Sequence, residues 1–149
     1  MQVGGVPLFY GGIKMIELTN PEIQTVLVGQ RVIFDRAVTH TGCAEYHRGT
    51  SGNVTLTKPG KYLVSFSANI AVPTGVTPTE VALDLIQDGD ILSGTVMRAT
   101  PAVALEYFNV STDRIVDVFC GTTSVIGVAN AGTTNVNVDN PNIIVRRIA

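Results

Sequence analysis

The sequence predicts an all-β domain, a sandwich of two antiparallel sheets with roughly ten strands. About a third of its residues are Val, Ile or Thr, the β-branched types that fit a pleated, half-buried surface. Short runs of period-2 alternation recur between turn signals, and convincing helical periodicity is absent. The 149 residues match the usual size of one domain. Composition divides the chain into an apolar, Gly-rich arm over residues 1–20 and a sandwich domain over residues 21–149.

The elements follow from local pattern. Ile23–Val28, Gln30–Phe34 and Asn53–Leu56 are the early strand candidates. Lys58-Pro59-Gly60-Lys61 reads as a type II turn, with Pro fixing φ and Gly supplying φ > 0. It opens the clearest strand, Tyr62–Val72, in which Tyr62, Val64, Phe66, Ala68, Ile70 and Val72 share one face. Ser65, Ser67 and Asn69 share the other, because side chains alternate across a strand. Val81–Gln87 places Val81, Leu83 and Leu85 on one side and runs into Asp88-Gly89, a strong hairpin signal. Ala102–Val110 is extended but mixed in its faces. Ile115–Cys120 precedes Gly121, and Val125–Asn130 precedes Ala131-Gly132. Asn135–Asp139 alternates throughout, Asp139-Asn140-Pro141-Asn142 makes a turn, and Ile143–Ile148 is the last strand. The predicted core therefore includes Phe34, Tyr62, Val64, Phe66, Leu83 and Leu85.

Hydrophobic residues make up 45% of the chain and charged ones 15%, against roughly 25% charged in an average soluble domain. Mean hydropathy is +0.30. So little charge predicts that part of the surface is buried against other subunits. The net charge is −2 with scattered basic residues, and Arg146–Arg147 is the only adjacent basic pair; no nucleic-acid footprint is expected. No stretch reaches the length of a membrane helix, and no secretory signal is visible, which predicts synthesis in the cytoplasm. The arm segment Val3–Gly12, with Val6, Leu8, Phe9 and Tyr10, either packs irregularly on the sandwich or docks on another protein as an anchor.

Sites of chemistry are sparse. His40, Glu45 and His47 lie close in sequence, but their spacing matches no zinc pattern. Asp88 and Asp90 flank Gly89 as hairpin residues, without the ligands of an EF-hand loop. No serine sits in a Gly-x-Ser-x-Gly elbow, and no phosphate-cradling glycine loop occurs. Cys43 and Cys120 are far apart; a disulfide is open to them, but buried free thiols in strands are the expected state. No catalytic site, metal or cofactor is expected.

The order of motifs resembles the tumour-necrosis-factor-like and complement globular-head superfamily, nearer its short bacterial and phage members. The resemblance runs from Gly29 and Val32-Ile33-Phe34-Asp35 through Ser51-Gly52-Asn53-Val54-Thr55-Leu56 into Pro59-Gly60-Lys61-Tyr62. It continues with Val81-Ala82-Leu83-Asp84-Leu85, Asp88-Gly89 and Ser93-Gly94-Thr95, and closes on Asn142–Ile148. It implies a ten-stranded jelly roll forming a compact homotrimer, with Leu63, Ser65 and Ser67 leaning toward the threefold axis. Two departures are Gly121-Thr122-Thr123 where many relatives carry Gly-Asp, and the absence of a collagen-like stalk.

These readings converge on a non-enzymatic structural protein of a phage virion, a capsid-attached head fibre or decoration protein at the virion surface. Its partners would be itself and, through the arm, a capsid or particle protein. The alternative is a receptor- or glycan-binding tip of a bacterial or spore-surface protein. Outward loops expected to face the environment include Thr74, Gly75, Thr77, Arg98, Thr100 and Thr122.

Overall fold

The computed structural model describes residues 15–40, 44–46 and 52–149. Among them are twelve strands: β1 (Met15–Thr19), β2 (Gln24–Val26), β3 (Arg36–His40), β4 (Ala44–Tyr46), β5 (Val54–Leu56), β6 (Gly60–Ala71), β7 (Val81–Gln87), β8 (Asp90–Ile91), β9 (Met97–Ala99), β10 (Phe108–Val118), β11 (Ser124–Ala129) and β12 (Val136–Arg147). They form two six-stranded antiparallel sheets. The first has the order β10-β6-β12-β1-β3, with β2 also pairing with β12; the second has the order β4-β5-β11-β7-β8, with β9 also pairing with β7. From β3 onward the chain passes back and forth between the sheets, which wraps it into a jelly roll.

The core lies between the sheets. Tyr62, Val64 and Phe66 of β6 are buried with Leu83 and Leu85 of β7 and with Phe34. The rings of Phe34 and Phe66 meet edge-on at 6.3 Å between centroids and 81° between planes, a favoured aromatic geometry. The Tyr62 hydroxyl donates to the Lys58 carbonyl at 2.7 Å, so the ring enters the core while its polar tip ties down the preceding turn. In the β7–β8 hairpin, Asp88 and Gly89 both have positive φ, 52° and 87°, as a type I′ turn requires. The Asp88 carboxylate also accepts from the Val125 amide at 2.8 Å and the Ser124 hydroxyl at 2.9 Å, clamping the hairpin to β11.

Four elements differ from the sequence reading. Residues 15–19, assigned to the arm, form β1 inside the first sheet, between β12 and β3; Ile16 and Leu18 are fully buried, which holds the strand there. Gln30–Phe34 is not a ladder strand: it makes a single bridge, Arg31 to Ala129, and its role is to deliver Val32 and Phe34 to the core. The third difference is at β10: residues 102–107, read as extended, lie in a loop, which is why the faces of Ala102–Val110 look mixed, and the strand itself runs from Phe108 to Val118, ending before Cys120.

The fourth difference is in β12. Asp139–Asn142 does not separate two strands; β12 runs through it with a bulge. Asp139 faces Asn69 and Asn142 faces Ser67, so one extra residue is accommodated, with Asn140 at φ 52°. The bulge switches the parity of the buried residues. Val136 and Val138 point inward before it, Ile143 and Val145 after it, and only an inserted residue reconciles the two registers.

Candidate functional site

The outward face of the first sheet is where the predicted axis residues stand, and its composition follows from cross-strand register. Directly opposed residues of an antiparallel pair point to the same side. Ser67 of β6 is flanked by Ser111 of β10 and Asn142 of β12; Ser65 is flanked by Asp113 and Ile144; Leu63 is flanked by Ile115 and Arg146. Strand β1 extends these rows with Thr19, Glu17 and Met15. Leu63, Ser65 and Ser67 are half-buried within a single chain.

Three zones result. At one end Asn109 donates from Nδ2 to Asn69 Oδ1 at 3.1 Å. In the middle, small side chains leave a shallow hollow of about 210 Å³ lined by Ser65, Phe66, Ser67, Ser111, Asp113, Asn142 and Ile144. Asn142 Nδ2 donates to Glu17 Oε2 at 2.7 Å along its border. At the other end the face turns apolar: Ile115 is 52% exposed beside Leu63, and Phe119, 71% exposed, follows just beyond β10. An ion pair between Lys61 and Asp117 at 2.7 Å closes this end.

Such a face is suited to receive a protein surface. Serine hydroxyls and small side chains keep it flat, while Ile115 and Phe119 offer apolar area that gains by leaving water. The hollow is lined by no imidazole, thiol or amine, and among the described residues no group of three His, Cys, Asp or Glu side chains is placed to hold a metal. His40 and Glu45 fall in β3 and β4; His47 and Cys43 lie outside the described residues, as do Val6, Leu8, Phe9 and Tyr10. Cys120 carries a free thiol that is exposed beyond the end of β10, not buried in a strand as the sequence suggested.

The outward loops do not form one surface. Thr74, Gly75 and Thr77 sit in the loop between β6 and β7, and Thr100 follows β9 at that same end; all four are exposed. The loop from Pro101 to Tyr107 joins them through the Leu105 amide, which donates to the Val72 carbonyl at 2.9 Å. Thr122 lies at the opposite end, in the β10–β11 turn, where its amide and hydroxyl both donate to the Phe119 carbonyl at 3.1 and 2.7 Å. Arg98 lies on β9, with its Nε 3.4 Å from a Glu80 carboxylate oxygen.

One buried charge stands apart on the second sheet. Asp84 of β7 is 4% exposed, and its Oδ1 has no hydrogen-bond partner. Burial raises its carboxyl pKa above the ordinary value, against a downward pull from Arg98.

Sequence reasoning found the β6 contribution to the outward face but missed Ser111, Asp113, Ile115, Asn142 and Ile144. Alternation along β10 carries a signal, since Ser111, Asp113, Ile115 and Asp117 share a face. Which of them stands beside which β6 residue is set by register, a long-range property.

No family model matches the chain, and no curated protein matches it. Solved structures do match its fold. The globular domain of zebrafish complement 1qA protein is similar at a TM-score of 0.63 and 14% identity, over 91% of this chain and 95% of that one. Eiger TNF from S. frugiperda aligns at a TM-score of 0.66 and 11% identity, over 92% and 93%. Murine APRIL at pH 5.0 aligns at 0.63 and 12%, over 91% and 99%. All three come from animals rather than from bacteria or phages. The fold is that of the tumour-necrosis-factor-like and complement globular-head jelly rolls.

Proposed function

We propose that the chain is a non-enzymatic structural module that forms a homotrimer through the outward face of its first sheet. In this reading it serves as a head fibre or decoration protein on a phage capsid. The observation that carries the trimer is the face itself: a flat, serine-lined centre bordered by exposed Ile115 and half-buried Leu63. Low overall charge supports it, because a chain with 15% charged residues has little to solvate a large free surface. The jelly-roll trimer implied by the sequence resemblance points the same way.

The particle role draws on the polarity of the fold. Met15 pairs with Arg146 and therefore enters the sheet at the apolar end of the face, near Phe119 and Ile148, both exposed. Thr74, Gly75, Thr77 and Thr100 are exposed at the far end. A trimer would bring its three β1 strand starts to one end and leave those loops facing outward at the other. The receptor- or glycan-binding alternative would use the loop end, where Leu105 is held at φ 62° although it is 48% exposed.

Light scattering coupled to size-exclusion chromatography tests assembly. The expected mass is three times 15.8 kDa, and a monomer at micromolar concentration would sink the proposal. Leu63→Asp and Ile115→Asp should each yield a folded monomer, whereas Val64→Asp, which buries a charge in the core, should abolish folding.

A further inference from the structure

Cyclic threefold assembly is heterologous: it sets one margin of a subunit against a different region of the next. The outward face of the first sheet carries unlike charges on its two sides, as such a contact needs. Its β10 margin carries Asp113 and Asp117; its far side carries Arg146 on β12 and Arg36 on β3, together with Asp139 on β12 and Glu17 on β1, each on the outward side by register. Asp117 is taken by Lys61 of the same chain. Asp113 and Arg146 are both exposed, and neither forms an ion pair among the described residues.

We infer that Asp113 of one copy pairs with Arg146 of the next around the threefold axis, fixing the register of the trimer. This rests on the trimer proposed above and names the contact that sets it. Rotation about an axis running along the strands preserves height on the sheet. Asp113 stands level with Ser65 and Ile144, and Arg146 lies two residues farther along β12, a rise of about 7 Å that a long guanidinium side chain spans. Ile115, Leu63 and Ile144 surround the meeting point with apolar surface, so the pair would be partly shielded from water and stronger than an exposed one. Level with Asp113 on β1 stands Glu17, whose carboxylate already accepts from Asn142, which leaves the Arg146 guanidinium, one row farther on, as the group that answers the incoming Asp113.

Charge reversal tests the pair in the full chain. Trimer dissociation is measured by light scattering across a dilution series for the wild type, Asp113→Arg, Arg146→Asp and the double variant. Each single reversal should weaken the trimer at least about tenfold, and the double should recover to within about threefold of wild type. Both positions are exposed, so the reversed charges leave the core untouched, and circular dichroism checks that the dissociated variants remain folded. A trimeric wild type whose single reversals change nothing, or whose double shows no recovery, overturns the pair and leaves the trimer standing. Recovery of Asp113→Arg by Arg36→Asp in place of Arg146→Asp also overturns it. A monomeric wild type overturns both proposals together.

Discussion

Asp84 carries a cost that depends on pH. Its carboxyl is buried with one oxygen unpartnered, and desolvation outweighs the pull of Arg98, so its pKa is raised above that of an ordinary aspartate. The folded chain holds this proton more tightly than the unfolded chain does. Stability is therefore reduced above the raised pKa and recovers as the pH falls through it toward the ordinary carboxylate range. Asp84→Asn should raise the melting temperature at pH 7, by about 2–4 °C per 1 kcal/mol recovered, and the gain should shrink by pH 4. An equal gain at both pH values would mean that the ionised carboxylate is not the source. Asn130 shows the opposite arrangement. It is fully buried, yet its Nδ2 donates to the Val26 and Thr134 carbonyls at 2.9 Å each and its Oδ1 accepts from the Gly132 amide at 3.0 Å, so its polarity is answered within the fold.

Strands are where sequence and structure can be compared most closely. The alternation of β6 is visible in the sequence because all its inward residues are apolar and most outward ones polar. β1 alternates as well, with Ile16 and Leu18 inward, but the Gly-rich run before it obscures where the strand begins. β12 shows a further limit. Its two halves each alternate, and the change of parity from Val138 to Ile143 is present in the residues. Asn140-Pro141 resembles a turn from local chemistry alone, and only the continuous partner β6 shows that the chain goes straight on. Deleting Asn140 tests this directly. Without the extra residue Ile143 and Val145 would face outward, each forfeiting roughly 1.5–3 kcal/mol of burial. The variant should lose cooperative unfolding in a urea titration. A stable, cooperatively folding deletion would show that the bulge is dispensable.

At the scale of the whole molecule, the centre of the outward face is made by three strands distant in sequence, β6, β10 and β12, so its residue types are legible but their neighbours are not. Low charge signals an interface without locating it; the register of β6 with β10 and β12 sets Leu63, Ser65 and Ser67 beside Ile115 and Asp113 on the face proposed for assembly. Because β1 belongs to the sheet, the stretch available as an anchor ends before Met15. Under the proposed virion role, removing residues 1–14 should leave a trimer of unchanged thermal stability that no longer co-sediments with phage capsids. Loss of folding would instead place that segment among the elements the domain needs.

The place of β12 in the first sheet has a consequence for how the protein is made. This strand lies between β6, already synthesised, and β1, the first described strand to leave the ribosome. Neither can be joined to the other until β12 emerges. The sheet closes by contacts spanning more than a hundred residues, such as Glu17 with Ile144, and pairing at such separation is slow. A nascent chain therefore lacks the complete outward face proposed for assembly until β12 has emerged.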